Sequence, residues 1–334
     1  MIKAKEVLLV SIVVPVYNNA LSLVDLLKQL QNVARPNNKE NYEFVFVDDG
    51  SYDDSLSILI EMSKSECRMR IVKLSRNFGS TSALLAGLAH ANGNVVAAIA
   101  ADLQDPPELI EEMLKHWREG FKVVVAARKS RDDGFLSSLL SNIFYALFRR
   151  FAISTMPTGG FDVFLIDRQI CDIIKYNTEK NVYLMGLLLW VGFKRKTIYY
   201  HRRKREKAYG RSMWSFARKV KYFIDSFVAF SYFPIRSASL LGICLSSLGM
   251  VYAAVVLGLR ILYSIKVEGW ASLMVVLLVV SGTQMLMIGI LGEYLWRNLD
   301  ETRKRASFIV EDIIEMSNAD GRMLDDKEKI EGAL

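Results

Sequence analysis

The sequence predicts an α/β domain built on a parallel sheet, followed by a hairpin of two apolar helices. Three observations carry the prediction. Short apolar runs alternate with amphipathic helical patterns from Leu8 to Ala126. Each apolar run ends in a cluster of polar turn residues. Two uncharged stretches near the C-terminus, Ser237–Leu259 and Gly269–Gly292, are 23 and 24 residues long.

In order, strands are expected at Leu8–Pro15, Phe44–Val47, Arg70–Leu74, Val95–Ala101 and Val123–Ala126. Helices are expected between them, at Ser22–Gln31, Asp53–Lys64, Thr81–Ala91 and Glu108–Trp117. Alternation of this kind implies parallel strands joined by crossover helices. The first apolar run follows Lys3 and Lys5, is broken by Pro15 and lacks a small-residue cleavage pattern, so it reads as a buried strand rather than a signal peptide. In open α/β sheets, ligands bind beyond the carboxyl ends of the strands. The polar motifs fall there: Tyr17-Asn18-Asn19, Asp48-Asp49-Gly50-Ser51, Arg76-Asn77-Phe78-Gly79 and Asp102-Leu103-Gln104-Asp105-Pro106-Pro107.

Each uncharged stretch, at ~1.5 Å per helical residue, reaches about 35 Å, enough to cross a hydrocarbon core of ~30 Å. Arg218, Lys219, Lys221 and Arg236 precede the first, and Arg297, Arg303, Lys304 and Arg305 follow the second. The positive-inside rule then places both flanks in the cytoplasm. The short connection holds Lys266 and Glu268, with Tyr263 and Trp270 as interface aromatics. Two further segments look amphipathic. Over 136–151, Leu136, Leu139, Leu140, Ile143, Phe144, Leu147, Phe148 and Phe151 share one helical face, suited to a core helix or to the membrane surface. Trp214–Phe233 mixes aromatic and basic residues, as a helix in the headgroup zone does. The expected organisation is therefore a soluble domain over 1–200, a basic loop and interfacial helix over 201–235, two transmembrane helices within 236–296, and a tail over 297–334. Beyond Glu311 the tail is charged and is read as mobile.

Hydrophobic residues make up 51% of the chain, so the membrane part is a minority. The net charge of +7 is local, because His201–Tyr222 holds nine basic residues against the single acid Glu206. Such a block suits phosphates on a ligand or on lipid headgroups, or else is a solvated turn. With membrane spans beside it, nucleic acid is not an expected partner. Cys67, Cys171 and Cys244 are isolated, which offers no disulfide framework or zinc site and fits a reducing compartment.

Asp102 and Gln104 alternate at the end of a strand, where a turn can aim both oxygens at one Mg²⁺ or Mn²⁺; a helix cap ahead of Pro106-Pro107-Glu108 is the other use of that pattern. Asp48 and Asp49 suit hydrogen bonds from a base edge or ribose, or a strand-terminating turn.

These motifs resemble the family 2 glycosyltransferases of GT-A fold, and more closely the dolichol-phosphate mannose synthase-like, polyprenyl-phosphate branch. The resemblance runs from about Val10 to Glu311 through VVPVYNN, VDDGS, LSRNFG, ADLQDPPE, FDVFLIDR and GWASLM…GILGEYL. It implies that Pro15, Tyr17, Asn18, Asp48 and Asp49 hold the nucleoside and that Asp102 and Gln104 ligate the metal. It also places Asp162 at the position assigned as catalytic base. Arg128 and Arg131, with Arg202, Arg205, Lys207 and Arg211 of the basic block, resemble a pyrophosphate grip, for which the arginine fork is suited. A phosphate monoester has a second pKa near ~6 and is mostly dianionic at neutral pH. Asp162 is therefore expected to orient the acceptor or a sugar hydroxyl rather than to remove a proton. Three positions depart from the family pattern: Ala100 replaces an acid, Phe164 an arginine and Met213 a lysine.

The expected activity is metal-dependent, inverting transfer of one sugar from a nucleotide diphosphate, UDP by resemblance, to undecaprenyl or another polyprenyl phosphate. The setting is the bacterial inner membrane, with the catalytic domain cytoplasmic. A homo-oligomer and a downstream flippase are candidate partners. A processive synthase would carry Gln-x-x-Arg-Trp and more spans, and neither is found. The rival from another class is a non-catalytic membrane scaffold, motivated by the three departures.

Overall fold

The computed structural model describes residues 7–35, 40–129, 146–175, 183–203, 230–263 and 269–315. The chain forms β1 (Leu8–Val16), α1 (Ala20–Val33), β2 (Glu40–Asp48), α2 (Ser55–Ser65), β3 (Met69–Leu74), α3 (Ser80–His90), β4 (Val95–Ala98), α4 (Leu109–Arg118) and β5 (Val123–Arg128). After these come β6 (Phe161–Asp167), α5 (Arg168–Lys175), α6 (Leu184–Trp190), β7 (Arg195–Tyr200), α7 (Phe233–Tyr263), α8 (Trp270–Thr302) and β8 (Val310–Glu315). One compact unit holds the sheet, with β8 included, and a second holds the two long helices.

Eight strands form one sheet in the order β7-β5-β6-β4-β1-β2-β3-β8. Successive side chains of a strand point to opposite faces. Val10, Ile12 and Val14 of β1 accordingly join one core with Leu23, Leu26, Leu27 and Leu30 of α1, Leu59 of α2 and Ile110 and Met113 of α4. Val13 and Val47 face the other way, onto α3, which comes so close that a Cβ on Gly87 would stand 2.2 Å from Val13 Cγ1. Helices thus cover both faces. The α1 leucines recur at i, i+3, i+4 and i+7, the spacing of a buried helical stripe, and each buried leucine contributes ~1.5–3 kcal/mol.

The five expected strands run parallel, but two further strands make the sheet as a whole mixed. β1, β2, β3 and β4 run parallel, as do β5 and β7, but β6 is antiparallel to β4 and β5, and β8 is antiparallel to β3. The tail expected to be mobile beyond Glu311 supplies β8. Its acids pair with basic residues of β3, Glu311 with Lys73 at 2.7 Å and Glu315 with Arg70. Charges of this kind on an edge strand also discourage pairing with other chains.

In the second unit, α7 and α8 contain the stretches Phe233–Val256 and Leu273–Thr302, both long and apolar enough to cross a membrane and neither buried within the protein. They approach each other where a Cβ on Gly242 would lie 2.7 Å from Met287 Cε. The hydroxyl of Tyr294 donates to Ser231 O at 3.0 Å, tying the entry of α7 to α8. Of the apolar stripe over 136–151, residues 146–151 are helical, and Phe148 is fully buried with its ring 5.5 Å from that of Tyr183. The rest of that stripe, and the interfacial stretch Trp214–Phe233 up to residue 229, lie outside the described residues.

Candidate active site

β6 runs against β4 and β5, so its first residues arrive at the edge where those strands finish; β7, parallel to β5, finishes there as well. One edge therefore gathers the residues after β1, β2, β3, β4, β5 and β7 together with the start of β6.

The loops after β1 and β2 are laced together. Asn18, at φ 52°, donates its backbone N–H to Ser51 Oγ at 3.1 Å and accepts from the Tyr52 N–H at 2.9 Å. A left-handed backbone is tolerated better by Asn than by most residues. The Asn19 N–H donates to Ser55 Oγ at 2.9 Å, and its side-chain oxygen accepts from the Tyr17 N–H at 3.1 Å. Pro15 pairs in register with Val47, one residue before Asp48.

Asp48 and Asp49 are both buried. Asp49 accepts the backbone N–H groups of Phe78 at 2.7 Å and Gly79 at 2.9 Å, one on each oxygen, and so braces the loop after β3. Next to it, Gly50 has φ 66° and packs so tightly that a Cβ would stand 2.6 Å from the Arg76 carbonyl carbon. Asp48 accepts the Ser51 N–H at 3.3 Å. Burial pushes both carboxyls above the ordinary range, with hydrogen bonds from Ser51 opposing at Asp48 and those from Phe78 and Gly79 opposing at Asp49.

The second half of the edge is a cluster of charges. After β4 the chain turns through Leu103, which holds φ 58° between Asp102 and Gln104, and the Gln104 N–H donates to Asp102 Oδ1 at 3.3 Å. Ser22 Oγ pins this turn by donating to Ala101 O at 2.7 Å. Arg202, two residues past β7, has Nη2 3.9 Å from Asp102 Oδ2 and 4.0 Å from Asp162 Oδ2. Asp162, at the start of β6, also pairs with Arg128 at the end of β5. The Gly159-Gly160 turn makes that pairing fit: Gly159 has φ 87°, and a Cβ there would meet Arg128 O at 2.8 Å.

The structure thus brings Asp102, Gln104, Arg128, Asp162 and Arg202 into one cluster, with Pro15, Tyr17, Asn18, Asp48 and Asp49 along the same edge. Arg131, Arg205, Lys207 and Arg211 lie outside the described residues. Sequence reasoning gave no role to Asp105 or Tyr200. The Asp105 side chain is wholly buried and accepts from the Tyr200 hydroxyl and from Arg202 Nε at 3.1 Å. Their pairing links the loop after β4 to the end of β7 and the residues just past it, and no local spacing in the sequence signals that.

The glycosyl transferase family 2 model matches residues 11–174. The uncharacterized glycosyltransferase YkcC of Bacillus subtilis (strain 168) is 40% identical over 302 residues, covering 90% of this chain and 93% of that protein. This chain is a family 2 glycosyltransferase. The prophage bactoprenol glucosyl transferase homolog of Escherichia coli (strain K12) is 33% identical, and the bactoprenol glucosyl transferase of Shigella phage SfV is 32% identical. Each alignment covers 90% of this chain, with 98% and 97% of the respective relative. Among solved structures, a mannosyltransferase from Pyrobaculum calidifontis with GDP-Man and Mn²⁺ superposes at TM-score 0.49 with 18% identity, over 66% of this chain and 63% of that chain, a likeness too slight to bear on activity.

The α/β unit of this glycosyltransferase holds the whole of the family match. Among the described residues, no group of three or more His, Cys, Asp or Glu is placed to hold a metal ion. Asp102 offers one partly exposed carboxylate, and Gln104 follows it across the Leu103 turn with its side-chain amide as a second oxygen donor by residue type. That donor set fits an ion such as Mg²⁺, which binds through one or two carboxylates and takes other oxygens from substrate phosphates. Phe164 is fully buried within β6, where its register partners are Ala98 and Val125. An arginine there would be a buried charge, and the cations beside Asp162 come instead from Arg128 and Arg202. Ala100 lies partly exposed just before the turn, and Met213 is outside the described residues.

Proposed function

We propose that this glycosyltransferase moves a single sugar, with inversion, from a UDP-sugar to a polyprenyl phosphate at the cytoplasmic face of the bacterial inner membrane. The observation that carries the reading is the meeting of Asp102, Asp162, Arg128 and Arg202 at one sheet edge, in a chain that also has two helices long enough to span a bilayer. The relatives named for bactoprenol match nearly their whole length, which supports a lipid phosphate as acceptor.

In this mechanism Pro15, Tyr17, Asn18 and Asp48 form the nucleoside end of the site, on loops made rigid by their mutual hydrogen bonds. Asp49 keeps the third loop in place. Asp102 and Gln104 would hold Mg²⁺ or Mn²⁺, which supplies positive charge to the diphosphate. The lipid phosphate, already anionic, attacks the anomeric carbon as the bond to the departing diphosphate breaks on the opposite face. Negative charge grows on the leaving oxygens, and Arg202 and Arg128, the guanidinium groups beside Asp102 and Asp162 among the described residues, would receive it. Asp162, flanked by both, orients them and the acceptor or a sugar hydroxyl without serving as a proton acceptor. Positioning and fixed charge would then supply most of the rate. The basic residues Arg131, Arg205, Lys207 and Arg211 extend the grip on phosphate.

The test is nucleoside diphosphate release by detergent-purified protein given Mg²⁺ or Mn²⁺, undecaprenyl phosphate and a panel of nucleotide-sugars. Release that depends on the lipid and is abolished by Asp102→Ala supports the reading. Absence of release with every donor, beside an active relative as control, contradicts it.

A further inference from the structure

We propose that Asp105 is a positioning residue for the transfer, acting through Arg202; this rests on the glycosyl-transfer reading above. Arg202 is the cation central to the cluster, and its long side chain has many rotamers open to it unless something holds it. Asp105 fixes it. Its carboxylate accepts Arg202 Nε at 3.1 Å on Oδ1, with Nη2 at 3.5 Å from Oδ2, so the guanidinium plane is held along one edge. The Tyr200 hydroxyl donates to the same Oδ1. A main-chain bond from the Arg203 N–H to Gln104 O, 3.0 Å, rivets the two segments beside that pair. Pro106 and Pro107 follow Asp105 directly, and their fixed φ stiffens the turn that carries it.

The Asp105 side chain is entirely enclosed, and a carboxylate in that position is costly unless paired. An apolar residue of similar volume would serve packing at least as well, so the acid is best accounted for by what it holds. It turns Arg202 so that Nη2 stands 3.9 Å from Asp102 and 4.0 Å from Asp162, too far for a tight pair with either. Released from Asp105, Arg202 would close onto those two carboxylates, neutralising Asp102 where an ion must bind and withdrawing the guanidinium from the diphosphate. Asp105 therefore keeps the cluster open.

The experiment compares Asp105→Asn, Arg202→Gln, the double variant and Arg202→Lys for turnover, UDP affinity by calorimetry and thermal unfolding. Asp105→Asn and Arg202→Gln are each expected to lower kcat by about 10–100-fold, the scale of a misplaced catalytic group. If Asp105 acts through Arg202, the double variant is no slower than Arg202→Gln by more than about threefold. Arg202→Lys keeps the charge but cannot fork over Asp105, and is expected to lose as much kcat as Arg202→Gln. Losses that multiply in the double variant, wild-type turnover in Asp105→Asn, or wild-type turnover in Arg202→Lys would each overturn the proposal. Should Asp105→Asn fail to fold, Arg202→Lys decides alone. An inactive wild type sinks the transfer reading instead; the same variants are then compared by UDP affinity, where additive losses or none overturn the positioning role.

Discussion

Replacing Asp49 by Asn separates a loop brace from a ligand contact. The carboxylate accepts two backbone N–H groups, from Phe78 and Gly79, at 2.7 and 2.9 Å. Hydrogen bonds to a charged acceptor contribute ~1.5–3 kcal/mol each. An asparagine keeps one acceptor oxygen but turns its amide donor toward the second N–H. One bond is lost and two donors face each other, while removal of a buried charge offsets part of the cost. The net loss is then about 1–3 kcal/mol. At ~2–4 °C per kcal/mol for a unit of this size, the apparent melting temperature should fall by roughly 2–12 °C. Differential scanning fluorimetry in detergent, beside calorimetric UDP binding well below the transition, reads both effects. The expected pattern is lower stability with UDP affinity changed by less than about threefold, while Asp48→Asn shows the larger loss of affinity. A variant that melts within a degree of wild type yet no longer binds UDP would refute the brace and make Asp49 a nucleoside contact.

Three further outcomes follow from the geometry. Gly159→Ala must place a Cβ 2.8 Å from Arg128 O at φ 87°. That backbone costs ~1–2 kcal/mol and the contact displaces the Arg128–Asp162 pair, so turnover should drop about 10–100-fold; kinetics within twofold of wild type would argue that the pair is not needed. Glu66 is held below the ordinary carboxylate range chiefly by the Arg68 fork, with Nε and Nη2 both at 2.7 Å, against an opposing contribution from burial. Its folded pKa is depressed, so its stabilisation is present above the unfolded value of ~4.3 and is lost as pH falls through the folded value. Glu66→Gln should cost ~1–3 kcal/mol at pH 7, and denaturation curves should converge with wild type as the pH drops below that range; a gap that persists at the lowest pH would contradict the assignment. Burial pushes the Cys171 thiol up to about 11, whereas Cys67 is exposed. At pH 8 a disulfide reagent should label Cys67 in the native protein and Cys171 only after denaturant, as peptide mapping would show; native labelling of Cys171 would mean that α5 opens readily.

The strands β1 to β5 and the four helices between them were legible because each is an apolar or striped run closed by turn residues. β6 was visible only as the motif FDVFLIDR. Its antiparallel entry between β4 and β5 is a long-range pairing that periodicity cannot report. β8 escaped because Val310-Glu311-Asp312-Ile313-Ile314-Glu315 reads as a charged tail; its acids are matched by Arg70 and Lys73 across the edge of the sheet, a partner remote in sequence. Within the site, the motif after β4 singled out Asp102 and Gln104, since loops at the carboxyl ends of strands announce themselves by composition, whereas Asp162, at the start of β6, was singled out only by the family resemblance. The division of labour between Asp48 and Asp49 was not legible, because adjacent identical residues differ only in which way the strand end turns them. Asp105 was hidden for a related reason: its partners, Tyr200 at the end of β7 and Arg202 just past it, lie almost a hundred residues later.

The measurement that bears most directly on the central claim is the chemical identity of the lipid product. Protein reconstituted with undecaprenyl phosphate, a UDP-α-sugar and a divalent cation should yield one polyprenyl-phosphate-sugar per UDP released. Mass spectrometry should show a single sugar, and the anomeric proton coupling should show the β linkage. Sugar chains on the lipid, a retained α linkage, or UDP release without any lipid-linked sugar would contradict the account.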